Sequence, residues 1–363
     1  MKKTEILKTI LAAFAGLIIL SNLPIFGARF PETSLKGPEV PTWVVQKSGV
    51  EASLRGVSAV DEKTAWASGS KGTVLRTIDG GEKWTAVMVP GAESLDFRDI
   101  EAFSAETAIV MSSGRPAKIF RTTDGGGTWE ERYSNDEPGI FLDAMAFFDD
   151  SRGLAGGDPM GGRFVLLATA DGGKTWSMLP DESRPEAKEG EGAFAASGTC
   201  LATWGRSSAW FCTGGPVSRI FRSENGGRRW EAVASPLLSG QASYGTFSVA
   251  FTDSRNGIVV GGDYRNEPAN AGNAAVTADG GKTWTLLMDA QPGGFREAVL
   301  FVPSTTPPLA VAVGPSGSDV SFDLGKTWKP IAGTSGFHSL SFAKKGKVGW
   351  AVGKNGLIAK LAY

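Results

Sequence analysis

Histidine occurs once in the 363 residues, at His338, and cysteine twice, at Cys200 and Cys212. A single histidine leaves no material for a His-rich metal site or for a His-paired nucleophile away from that position. The two cysteines lack the Cys-x-x-Cys spacing of a redox centre. A basic excess is missing too: 37 Lys and Arg stand against 38 Asp and Glu, a formal charge of −1. That balance removes the electrostatic footprint of a nucleic-acid binder. No amphipathic helix of useful length follows residue 30, and no Gly-x-Gly-x-x-Gly sits between a strand and a helix. A dinucleotide-dependent oxidoreductase is therefore set aside, and neither a metal nor a cofactor is expected. What is plentiful is glycine, at 49 residues, with 20 Phe and 11 Trp. Such a composition calls for tight turns between short, well-packed strands. With 41% hydrophobic and 21% charged residues, the chain is neither disordered nor a multi-span membrane protein.

The N-terminus is a separate case. Lys2, Lys3 and Lys8 come before an uncharged run over residues 9–28 with an apolar centre at 10–20. A basic start followed by such a run marks a secretory signal, and its length also suits an uncleaved membrane anchor. We expect residues 1–28 to be one or the other, residues 29–42 to be a linker, and residues 43–363 to be the folded domain. Either outcome exports the chain to the periplasm or the medium, and membrane contact is expected only through an uncleaved N-terminal segment.

Within the folded domain a motif, Ser/Thr-x-Asp-x-Gly-x-x-Trp, recurs six times. Its acidic position is Asp79, Asp124, Asp171, Asn225, Asp279 and Asp323, and its tryptophan is Trp84, Trp129, Trp176, Trp230, Trp284 and Trp328. Asp or Asn accepts backbone N–H groups a few residues on, and glycine supplies the positive φ of a chain reversal. The tryptophan then opens the next strand and buries its ring against a neighbour. One carboxylate per copy is too few for calcium, which takes 6–8 oxygens, so these positions are structural. They resemble the Asp-box, or BNR, repeat of sialidase-like β-propellers.

Three further short strands precede each box, as at 54–60, 65–69 and 72–77, which makes four per unit, the arrangement of a propeller blade. Trp43 reads as a seventh Trp-led strand without a box, and the 35 residues after Trp328 hold three strands with no fourth. Joining the two closes a ring. The expected fold is an all-β, seven-bladed propeller of four-stranded antiparallel blades, closed by pairing the N-terminal strand with the C-terminal blade. Such a ring, with the Leu-Arg-Gly-Val start at Leu54, the Phe-Arg-Asp-Ile start at Phe97 and the Trp-Ala-x-Gly strands at Trp66 and Trp350, resembles the photosystem II stability/assembly factor-like family. The resemblance covers residues 43–363 and implies a scaffold that binds other proteins during assembly of a larger complex. Photosynthetic members are associated with an arginine-rich surface patch, and no local run here shows one.

All six boxes join third to fourth strands and so lie on one face of the disc. Insertions at 157–163, 180–192 and 262–273 fall on the other, which becomes the candidate binding face. Inner strands begin on that face with Arg55, Arg98, Asp99, Asp143, Arg296, Glu297 and His338, and the loops add Asp158, Arg163, Glu191 and Asp263. We expect these groups to converge on the channel mouth and to engage a protein partner, with a polar or glycan-like ligand as a further option. Arg98 and Asp99 are adjacent, so they must point to opposite sides. The alternative is a sialidase-like or other glycoside hydrolase at the mouth, in which Arg55, Arg98 and Arg296 form an arginine cluster and Tyr244 or Tyr264 supplies the nucleophile. Finally, Cys200 and Cys212 are equidistant from Arg206 in a hairpin, which together with export predicts a structural disulfide.

Overall fold

A computed structural model describes residues 39–363; the expected signal or anchor, and most of the expected linker, lie outside the described residues. The described chain forms seven four-stranded sheets, each with its strands in sequence order except the last. We number the blades in chain order: blade 1 covers 54–88, blade 2 96–135, blade 3 142–178, blade 4 201–234, blade 5 244–286 and blade 6 298–331. Blade 7 takes three strands from 337–362, and its outermost strand is Thr42–Gln46 from the other end of the chain, with Trp43 opposite Leu361. The ring is sealed as the Trp43 strand predicts.

The core lies in the seams between blades. Leu54, Leu75 and Trp84 of blade 1 share one buried cluster with Trp350, Val352 and Ile358 of blade 7. Ile109 and Ile119 of blade 2 likewise pack with Leu142, Val165 and Trp176 of blade 3. The Asp-box explains this arrangement. The Thr77 hydroxyl accepts the Gly81 N–H at 2.9 Å and donates to Asp79 Oδ1, which in turn accepts the Lys83 N–H at 3.0 Å. The same bonds recur at the other five boxes, with Asn225 Oδ1 accepting the Arg229 N–H in the fourth. At Asp124 the Thr128 N–H and hydroxyl, with the Thr122 hydroxyl, pull the carboxyl down to about 2.

The folded box then presses its glycine against the preceding blade, on the second strand in boxes three to six and on the outermost strand, at Gln46 and Val87, in boxes one and two. A Cβ on Gly173 would lie 2.2 Å from Ile109 Cδ1, and one on Gly325 2.5 Å from Ile258 Cδ1. Here glycine answers two demands at once, a positive φ of 75° at Gly173 and close approach to a neighbour. The sixth box is less regular, because Leu324 occupies a left-handed position (φ 65°) where the other boxes have glycine.

The seam between blades 7 and 1 carries the chain closure, and one side chain organises it. Gln46 Oε1 accepts the indole N–H groups of both Trp84 and Trp350 at 3.0 Å, and Gln46 Nε2 donates to the Gly80 carbonyl at 3.0 Å. Trp43, lacking a box, still behaves as a box tryptophan, since it packs on the blade 6–7 seam and donates to Ser318 Oγ.

One expectation is corrected. Cys200 and Cys212 face each other across the hairpin, with the Cys212 N–H on the Cys200 carbonyl at 2.9 Å, but both are free thiols. Each is fully buried, and burial pushes both thiols well above their ordinary range. Disulfide formation proceeds through a thiolate, which this apolar seam disfavours.

Gln46→Ala leaves two buried indole N–H groups without an acceptor. We expect a loss of about 2–4 kcal/mol in urea-induced unfolding; an unchanged midpoint would show that the closure does not depend on Gln46.

Candidate functional site

The innermost strands do not begin regularly. In five blades the register slips by one residue at the first turn of the ladder, between Leu54 and Gly56, Phe97 and Asp99, Leu142 and Ala144, Thr246 and Ser248, and Phe337 and Ser339. The skipped residues are Arg55, Arg98, Asp143, Phe247 and His338. A bulge leaves one residue unpaired and re-aims its side chain, and here the repeated bulge supplies the inner ring of the mouth. Arg98 lines the mouth, whereas Asp99 borders the lower channel.

A cavity of about 340 Å³ occupies the mouth. Arg55, Arg98 and Lys354 give it a cationic side, and Phe194, Phe247 and Tyr264 an aromatic one. Phe194 stacks on Phe247 with ring centroids 3.8 Å apart, and Tyr264 meets both edge-on. His338 Nδ1 lies 2.8 Å from Glu297 Oε2, which also faces Arg55 Nη1 at 3.6 Å. Arg98 is held by Asp96 at 2.6 Å and by the Ala195 carbonyl at 2.9 Å. A guanidinium has five N–H donors, so both arginines keep donors for a bound anion.

Of the eleven expected residues, Arg55, Arg98, Glu297 and His338 line this cavity, and the others are placed elsewhere. Arg296 is sealed against Asp319, with Nε at 2.7 Å from Oδ2. Glu191 is bound by Arg219 and the Thr213 hydroxyl. Arg163 sits on the third strand of blade 3 and pairs with Glu186, away from the mouth. Asp263 accepts the Arg265 N–H in its own turn. Asp158 accepts the Ala193 N–H at 2.9 Å. Asp99 lies below the mouth, where it ties blade 2 to blade 3 through the Met145 N–H at 2.5 Å; burial pushes its carboxyl up, and Glu101 adds to this. Asp143 is fully buried, and among the described residues neither of its oxygens has a hydrogen-bond partner. Asp143 apart, each of these charges is taken up by a nearby counter-charge or N–H.

The insertions also differ from simple loops. Residues 157–160 extend the second strand of blade 3 around a bulge, whereas 262–273 contribute Tyr264 and Glu267 to the cavity. Sequence reasoning singled out Tyr264 only as a candidate nucleophile and missed Phe194 and Phe247. Phe247 was detectable only as the residue in blade 5 equivalent to Arg55 and Arg98, and Phe194 lies in a segment that no repeat covers.

The family described as Photosynthesis system II assembly factor YCF48 matches residues 36–146. The Photosystem II assembly lipoprotein Ycf48 of Synechococcus sp. (strain CC9902) is 24% identical over 243 residues, 64% of this chain and 62% of that protein. The chain therefore spans less than two thirds of that relative. The Photosystem II assembly protein Ycf48 of Synechococcus sp. (strain JA-2-3B'a(2-13)) is 26% identical over 313 residues, 74% of this chain and 84% of its own. Among solved structures, YCF48 bound to D1 peptide superposes with a TM-score of 0.62 at 17% identity, covering 90% of this chain and all, 100%, of its own. The GH74 xyloglucanase of Xanthomonas campestris gives 0.59 at 17% identity, covering 88% of this chain and 53% of its own. At such identities these likenesses establish the fold alone.

Burial pushes the Asp143 carboxyl well above its ordinary range, and Asp158 adds to the shift. A carboxyl raised on folding costs stability as pH climbs from its unfolded value, about 3.9, towards its folded one. Asp143→Asn should therefore match the parent chain near pH 3 and exceed it in stability at pH 7, measured by urea unfolding. A constant difference across that range would contradict the assignment.

Proposed function

We propose that this chain, a seven-bladed Asp-box propeller similar to the photosystem II assembly factors described above, is an exported, non-catalytic scaffold that captures a peptide segment of a partner protein in the mouth cavity. The observation that carries this reading is the division of one cavity into a cationic and an aromatic side. An anionic group on a peptide would meet the free donors of Arg55 and Arg98, while a neighbouring apolar side chain would lie on Phe194, Phe247 and Tyr264. A solved relative is described as bound to a D1 peptide, which supports a peptide as the occupant. The insertion at 262–273 borders the same cavity, so the partner is proposed to approach on the insertion-bearing face.

Hydrolase chemistry has weaker support. The arginine cluster it needs loses Arg296 to Asp319, and Glu297, a carboxylate on the cavity wall, is engaged by His338 and Arg55. Export rests on the basic and apolar pattern of residues 1–28. Fractionation of the native cells should find the chain outside the cytoplasm, and a purely cytoplasmic distribution would refute that element.

The binding role is tested by affinity capture from the native envelope with three forms of the chain. The parent chain and Trp204→Ser, a change on the box face, should retain the same partner, and Arg55→Ala/Arg98→Ala should lose it while keeping its melting temperature within a few degrees. Equal capture by the arginine variant would defeat the mouth-cavity reading, and so would loss by Trp204→Ser.

A further inference from the structure

Residues 193–199 follow the exposed insertion of blade 3 but do not skirt the disc. They enter the channel and bond to the blades around it before the first strand of blade 4 begins. The Ala193 N–H reaches Asp158 of blade 3, the Ala195 carbonyl takes Arg98 of blade 2, and the Ala196 carbonyl takes Arg55 of blade 1 at 3.4 Å. Ser197 Oγ donates to the Glu297 carbonyl at 2.8 Å, just ahead of blade 6, and its own carbonyl accepts Ser339 Oγ of blade 7 at 2.8 Å. Thr199 Oγ1 donates to Ser248 Oγ of blade 5 at 2.7 Å. The segment is built for this position: Gly198 has φ 73°, and a Cβ there would lie 2.4 Å from Asp99 Oδ1. Below it the channel continues as a separate compartment of about 220 Å³, lined by Ser58, Asp99, Glu101 and Ser341 among others.

We propose that residues 193–199 are a plug that positions the mouth site, making the cavity a blind receptor and holding Arg55 and Arg98 aimed at the anionic group of the captured segment. The inference rests on the mouth-cavity reading. Its physical basis is preorganisation: a free arginine loses rotamer freedom when it is fixed. A carbonyl that already fixes the fork removes part of that cost from the binding step. Blindness has a second effect, since a chain end or a single side chain can enter but an extended chain cannot thread through.

Asp158 does not line the mouth cavity and anchors the near end of the plug, so it is the position to change. Asp158→Ala removes the acceptor for the Ala193 N–H, whereas Asp158→Asn keeps an oxygen there and removes only the charge. The probe is N-acetyl-L-phenylalanine, a carboxylate beside an aromatic ring, titrated calorimetrically into each variant; order at Arg98 is read from the relaxation of its Nη1 hydrogens, the group that the Ala195 carbonyl holds. We expect Asp158→Asn to bind like the parent chain with an ordered Arg98, and Asp158→Ala to bind about threefold to tenfold more weakly with a mobile Arg98. Should Asp158→Ala fail to fold, Ser339→Ala, which frees the Ser197 carbonyl from outside the cavity, takes its place with the same expected result. Unchanged affinity and an ordered Arg98 in the alanine variant would overturn the plug's role while leaving the site intact. A parent chain that does not bind the probe would overturn the mouth-cavity reading itself, and the proposal with it.

Discussion

The structure depends on one contact made repeatedly, the seating of an Asp-box against the blade before it. A propeller blade has two broad faces and no core of its own, so its hydrophobic burial exists only where the next blade covers it. Each box therefore does more than turn a chain. The hydroxyl–carboxylate–amide bonds freeze the loop, the freed glycine brings its backbone against Ile109, Leu154 or Ile258, and the tryptophan follows into the seam. At Trp129, Trp176 and Trp284 the indole N–H has no partner among the described residues. Those rings are held by packing rather than by hydrogen bonding. Only at the closure, where the two chain ends must find each other, does one side chain collect both indoles.

A second tier of bonds surrounds the channel and makes the inner ring rigid enough to carry a site. Ser58 Oγ accepts the Ala102 N–H, Asp99 accepts the Met145 N–H, Ser248 Oγ accepts the Val299 N–H, and Ser341 Oγ accepts the Ala59 N–H. Each bond ties one inner strand to the next, and all but one use a small neutral hydroxyl. The exception, Asp99, meets the plug at Gly198, and Ser248 meets it at Thr199. Above this tier the bulges of blades 1, 2, 5 and 7 each turn one residue into the mouth, whereas that of blade 3 buries Asp143. The same backbone irregularity thus delivers Arg55, Arg98, Phe247 and His338 to one cavity. The chemistry there varies from blade to blade while the geometry stays constant.

Fold and site were not equally legible in the sequence. Asp79, Asp124, Asp171, Asp279 and Asp323 announce the repeat because box geometry admits few other residues, and Trp43 announces the closure because nothing else would cover its ring. The site residues obey a weaker rule. Arg55 and Arg296 look alike as charged residues at inner-strand starts, yet the first is a bulge residue facing the cavity and the second is buried on Asp319. The difference lies in register, which pairing between strands sets and local sequence does not. Cys200 and Cys212 show the same limit from another side. Their opposition follows from hairpin symmetry, but their chemical state depends on the apolar seam around them.

Residues 193–199 had no signal at all, since Ala-Phe-Ala-Ala-Ser-Gly-Thr matches no strand, box or turn pattern. The segment's role follows from its surroundings. Seven inner strands enclose a channel whose walls expose hydroxyls, carboxylates and backbone carbonyls, and a chain of small residues can satisfy many of those groups without filling the space with side chains. Small residues also let the backbone itself meet Arg55 and Arg98, which a bulkier segment would hold away from its carbonyls. Phe194, the one large side chain in the stretch, points to the aromatic side instead and completes it. The division of the cavity into two chemistries therefore comes from a single strip of chain, with carbonyls towards the arginines and a ring towards Phe247.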